Sequence, residues 1–173
     1  MPETTHLAFL RAVNVGGTGK LKMDELKAMC RELGFRNPRT YIASGNLAFE
    51  SEQSSNEVRT ALEARLEAHA GKPVGLIMRS RDEVDALIKA NPFSDAPGNK
   101  VIVLLLNSLV TDLHTKDVKH HSNEQFKAGQ REIFIYYPEG QGQSKLSFKL
   151  AQAEGTARNM NTMLKMKQLA LNA

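Results

Sequence analysis

The order of strand-like and helix-like segments over the first eighty residues constrains this chain more than any other feature. His6 to Val15 (HLAFLRAVNV) is rich in β-formers and reads as a strand that stops at the breaker cluster Gly16-Gly17-Thr18-Gly19. Met23, Leu26, Cys30 and Leu33 then recur at helical spacing, and Gly34 follows as a stop. Residues 39–43 and 47–50 are short strands joined at Ser44-Gly45-Asn46, where Gly and Asn tolerate positive φ. Ser54 to Glu57 is a capping box, and Val58, Ala61, Leu62, Arg65 and Leu66 line one face of the helix it opens. Pro73 to Arg79 reads as a further strand. Strand–helix–strand–strand–helix–strand is the split βαβ, or ferredoxin-like, order. The expected fold class is α+β, an antiparallel sheet with helices on one face.

The second half is expected to be a degenerate α+β repeat of the first. Ser80 to Glu83 is another capping box, and Asn91-Pro92 ends the helix it opens. Residues 92–99 form a linker, and Lys100 to Leu106 a buried strand. Thr111 caps a weak helix, and 125–127 with 132–137 make a hairpin turning at Ala128-Gly129. Helices follow from about Ser144 and from Asn159. The expected division is a lobe over 1–80 and a second over 81–173, the latter ending in a basic, Met-rich helix; the alternative is that the whole chain forms one domain.

Charge narrows the partners. The net charge is +4, and all of it lies in residues 141–173, where Lys145, Lys149, Arg158, Lys165 and Lys167 face Glu154 alone. A basic end on a neutral body suits an anionic partner: a small phosphorylated ligand or nucleic acid. The competing reading is a solvated helical face whose lysines complement the helix dipole. The longest apolar run, Val101 to Leu106, is too short to span a bilayer. No signal peptide is recognised, and one cysteine makes no internal disulfide, so a cytoplasmic location is expected.

Several motifs exclude chemistry. Residues 14–21 (NVGGTGKL) match only the Gly19-Lys20 end of a phosphate loop, with Asn14 and Leu21 at its first glycine and hydroxyl positions; a nucleotide triphosphatase is not expected. Gly16 and Gly17 then read as a tight strand-to-helix turn that can form one wall of a site. His114 and His121 lack the third ligand that zinc needs, so neither a metal nor a cofactor is expected. Ser44 is not in a nucleophile elbow, Cys30 falls on an apolar face, and no acid–base pair is readable. Phe134, Tyr136 and Tyr41 offer an aromatic sheet to RNA, but tryptophan is absent and sheet core is the simpler reading.

The ordered set Arg11-Ala12-Val13-Asn14-Val15-Gly16-Gly17, Met23-Asp24-Glu25-Leu26, Leu33-Gly34-Phe35, Thr40-Tyr41-Ile42-Ala43-Ser44-Gly45-Asn46, Ser144-Lys145-Leu146 and Thr156-Ala157-Arg158-Asn159 resembles the bacterial domain of unknown function 1697 family. Ala12 and Met160 depart from it, standing where the family often has glycine and tryptophan. The resemblance implies an α+β fold with a ferredoxin-like unit and brings no activity, substrate or catalytic residue.

The candidate site follows from the polar content of these motifs. Arg11 and Asn14 lie at the end of the first strand, Gly16 and Gly17 in the turn after it, and Ser44 and Asn46 at a hairpin corner. Arg158 and Asn159 lie at a helix start, Asn159 as N-cap with Thr162 at N3. These eight residues are expected to bind a small anionic or phosphorylated ligand. Nucleic-acid binding and a protein-interaction or self-association role are the alternatives.

Overall fold

The computed structural model describes residues 3–11, 21–42, 45–116, 118–119 and 122–171. In chain order the elements are β1 (Thr4–Leu10), α1 (Met23–Glu32), β2 (Arg36–Tyr41), β3 (Asn46–Ser51), α2 (Ser55–Ala70), β4 (Leu76–Ser80) and α3 (Arg81–Lys89). There follow β5 (Val101–Leu105), α4 (Asp112–Lys116), β6 (Val118–Lys119), β7 (Gln125–Ala128), β8 (Glu132–Tyr136), β9 (Ser147–Phe148), α5 (Lys149–Glu154), β10 (Thr156–Asn159) and α6 (Met160–Leu171). Two compact units result: Met1–Val84 together with Lys165–Ala173, and Asp85–Leu164. This division differs from a cut at residue 80 in two respects. The first turn of α3 stays with unit 1, held by the Ser80–Glu83 capping box at 2.8 and 3.0 Å. The last turns of α6 return to unit 1.

In unit 1 the expected element order is the observed one. Its sheet has the order β2-β3-β1-β4, every neighbour antiparallel. Side chains alternate across the sheet, so pairing fixes two faces. Ala8, Leu10, Leu47, Phe49, Leu76 and Met78 share one face and pack with Leu26, Met29 and Cys30 of α1 and Val58, Leu62 and Leu66 of α2. Each fully buried aliphatic contributes roughly 1.5–3 kcal/mol over exposure, enough to hold helices of marginal intrinsic stability. The capping box of α2 forms as read, Glu57 N donating to Ser54 Oγ (3.2 Å) and Ser54 N to Glu57 Oε1 (3.3 Å). The helix stops at Gly71, whose φ of +75° is open to glycine at no steric cost.

The opposite face carries Leu7, Phe9 and Ile77, all fully buried, with Arg39, Tyr41, Asn46, Glu50 and Arg79 in the same register. Strand β2 is an edge blunted by Pro38, by positive φ at Asn37 (51°) and Ile42 (52°), and by a register shift between Arg36 and Arg39.

In unit 2 the sheet order is β10-β5-β8-β7, again all antiparallel. Reading β5, α4, β7, β8, α5, β10 as the six elements gives the same strand order as in unit 1. The two sheets thus share one strand order, and β6 and β9 form a separate two-stranded pair. One expectation needs correction. Thr156-Ala157-Arg158-Asn159 is not merely the run-in to a helix: it is a strand that pairs with β5 at Leu105, Leu104, Val103 and Ile102. The helix expected from Ser144 begins at Lys149, after a 3-10 turn and the short strand β9. Phe134 is 2% exposed, sheet core rather than a stacking platform.

Candidate functional site

Three strand ends of unit 1 meet at one end of its sheet. Leu10 N donates to Gly45 O and Arg11 N to Gly75 O, both at 2.9 Å, so the ladder continues one residue past β1. A Cβ built on Gly75 would lie 3.2 Å from Arg11 Cδ and 3.8 Å from its Nη1. The missing side chain of Gly75 thus gives passage to the Arg11 stem, and by alternation after Leu10 and Leu76 both residues take register positions on the face opposite α1 and α2. Arg11 is half-buried there.

Two strands away on the same face, Tyr41 pairs with Asn46 across the β2–β3 hairpin. Asn46 is fully buried and its Nδ2 donates to Tyr41 O at 2.9 Å, which closes the corner. Its buried amide is therefore in structural use as well as a candidate contact. The Lys165 ammonium of α6 stands 5.9 Å from the centroid of the Tyr41 ring, within cation–π range. Among the described residues Lys165 has no carboxylate at ion-pair distance, and it is exposed. Asn14, Gly16, Gly17 and Ser44 lie outside the described residues.

Arg158 and Asn159 belong to unit 2. Arg158 is 7% exposed and its Nη1 donates to Thr156 Oγ1 (2.8 Å) and Ala157 O (2.9 Å). Burial pulls this guanidinium down to about 10, because the charged form loses its hydration. Asn159 Oδ1 accepts from Thr162 N at 2.8 Å, the N-cap read from the sequence.

Other polar clusters have structural roles. Ser144 Oγ donates to the buried Glu124 carboxylate (2.5 Å), which also accepts from Ser122 N (2.7 Å), while Leu146 N donates to Ser144 Oγ (3.0 Å). The Ser144-Lys145-Leu146 motif thereby ties two loops together. Burial first, and the Glu124 charge second, push the nearby Tyr137 phenol up to about 12. His114 Nδ1 accepts from Thr111 N (2.9 Å), so Nε2 carries the proton toward Glu154 Oε2 at 2.8 Å. That makes His114 a capping side chain for α4. Burial pushes the Cys30 thiol up to about 12, which removes its nucleophilic form. No group of three metal-ligating side chains occurs among the described residues, nor any helix long and apolar enough to cross a membrane. The cleft of 360 Å³ between α2 and residues 73–75 is lined by Glu63 and Glu67, the wrong sign for an anion.

Lys165 is not among the candidate residues to which the sequence points. It appeared only as one of several basic residues, since its partner Tyr41 is distant in sequence.

Comparison with known proteins gives a family and a fold. The family described as "Protein of unknown function (DUF1697)" matches residues 3–134. The solved structure of conserved bacterial protein SP0830 from Streptococcus pneumoniae is similar with a TM-score of 0.80 and 23% identity, covering 98% of this chain and 99% of that one. At that identity the likeness carries the fold alone. No curated protein matches the chain.

Proposed function

The chain belongs to the DUF1697 family of proteins of unknown function, and from its own residues we propose that it binds a small anionic or phosphorylated ligand. The observation that supports this reading is the pair of cations, Arg11 and Lys165, on one face at one end of the unit 1 sheet, Lys165 with an aromatic ring and, among the described residues, no carboxylate for a partner. Arg11 lies against Gly75 at the start of β4 and Lys165 over Tyr41 on β2, so the two cations flank this end of the sheet, where a charge-assisted contact to an anion is strongest. Tyr41 and Asn46 form the wall between them. Arg11, Asn14, Gly16, Gly17, Ser44 and Asn46 remain the proposed binding residues of unit 1, with Lys165 and Tyr41 added, while Arg158 and Asn159 remain proposed contacts of unit 2 by themselves.

A thermal-shift panel of inorganic phosphate, pyrophosphate, nucleotides, sugar phosphates and short RNAs tests the reading. A ligand present at a hundred times its Kd stabilises the fold by about 2.7 kcal/mol, an upward shift of roughly 5–10 °C for a chain of this size. Arg11→Gln and Lys165→Met are each expected to reduce the shift, and Arg158→Gln reports separately on unit 2. A panel in which no anion raises the melting temperature refutes the proposal. A response confined to RNA, steep in salt, would replace it with the nucleic-acid reading.

A further inference from the structure

The helix that carries Lys165 is fastened to the same strand that carries Tyr41. Arg39 lies two residues before Tyr41 on β2, on the same face. Its Nε donates to Leu169 O at 2.9 Å and its Nη2 to Ala170 O at 3.4 Å. Its Nη1 donates to Asn37 O (2.7 Å) and to both oxygens of Glu50, at 3.0 and 2.9 Å. The last carbonyls of a helix have no partner within it and carry the negative end of its dipole, so a guanidinium is a fitting cap. Only the planar fork of arginine meets helix carbonyls, strand carbonyl and carboxylate at once. The side chains of Arg39 and Glu50 are 10% and 9% exposed, which locks the cap in one orientation.

Resting on the anion-binding reading above, we infer that Arg39 is a positioning residue that sets Lys165 over Tyr41 and so completes the cationic site. Lys165 and Leu169 are one helical turn apart, so α6 touches β2 at two points: the Arg39 cap at its last turn and the Tyr41 ring one turn earlier. Loss of the cap lets the last turns of the helix fray, and the ammonium leaves the ring with them. Ligand affinity therefore depends on a side chain that does not touch the ligand.

A double-mutant cycle on pyrophosphate affinity, measured by calorimetry well below the melting temperature of every variant, tests this. Lys165→Met is expected to weaken binding roughly tenfold, the worth of one charge-assisted contact. Arg39→Met is expected to weaken it by a similar factor, and the double variant no further than either. Amide exchange across residues 166–171 accelerates in Arg39→Met and not in Lys165→Met. Arg39→Met with wild-type affinity, or losses that multiply in the double variant, overturns the inference. Should Arg39→Met not fold, Arg39→Lys takes its place, since it keeps a charge beside Glu50 but lacks the planar fork that reaches both helix carbonyls. If the wild-type protein binds no pyrophosphate, the anion-binding reading fails. The positioning is then judged on exchange and on the tyrosine emission that Lys165→Met alters. Wild-type behaviour of Arg39→Met in both measurements overturns it, and loss of both supports it.

Discussion

Three glycine-to-alanine changes separate steric from conformational cost. Gly155 sits between α5 and β10 in extended backbone, φ −124°, which any residue adopts. A Cβ there would lie 2.2 Å from Leu105 O, 2.8 Å from Leu106 Cδ2 and 3.1 Å from Ala151 O. The Leu105 carbonyl cannot turn aside: Leu105 is paired with Glu132 on one side and Thr156 on the other, and Leu106 N is tied to Arg131 O at 2.9 Å. Restoring an ordinary contact needs a backbone shift of about 1 Å in a close-packed sheet, so the cost stands at the upper end of overpacking, about 3 kcal/mol. For this chain length that lowers Tm by roughly 6–12 °C. Gly71 has nothing within 4 Å of its absent Cβ but a φ of +75°, so alanine there costs about 1 kcal/mol of left-handed strain. Gly142 has neither a near neighbour nor a positive φ, and alanine is expected within about 0.5 kcal/mol of wild type. Calorimetry on the three variants, with urea midpoints at constant slope as a cross-check, reads the series. Gly155→Ala melting within about 2 °C of wild type, or Gly142→Ala costing more than Gly71→Ala, would refute the reasoning.

Burial lowers the His6 imidazole below 6.5, outweighing the backbone hydrogen bonds that raise it, so the unfolded chain takes up the proton first. Stability is then fully present above about pH 6.5 and falls as the pH drops toward the folded value, and His6→Gln flattens that fall in urea titrations between pH 7 and 5. Glu50→Ala leaves the Arg39 charge buried and unpaired; a loss of about 3 kcal/mol is expected, and an unchanged urea midpoint would contradict it. Cys30, fully buried, is expected to resist a thiol reagent in buffer and react in denaturant, and rapid native-state labelling would show the site to be open.

Local signals in the sequence were accurate where the physics is local. Both capping boxes, at Ser54–Glu57 and Ser80–Glu83, form as spelled, and so does the Asn159 cap, because each involves partners three residues apart. Strand β10 was not legible: Thr-Ala-Arg-Asn lacks apolar alternation, and what makes it a strand is a partner, β5, some fifty residues upstream. Without it the second half reads as one strand short, which hid how closely its topology follows the first. Of the proposed cationic site, Arg11 was legible, since its place at a strand end follows from the apolar run before it. Lys165 gains its meaning only from Tyr41 and Arg39 across a long separation, and no spacing rule connects residues that far apart.

That separation also sets a schedule for synthesis. Arg39 and its acceptor Leu169 are 130 residues apart. A ribosome adding 5–20 residues per second needs roughly 6–26 s to cover that interval. Throughout it the nascent sheet keeps an open border at β2, and the proline, the register shift and the two left-handed residues there stand guard against pairing with a neighbouring chain until α6 arrives.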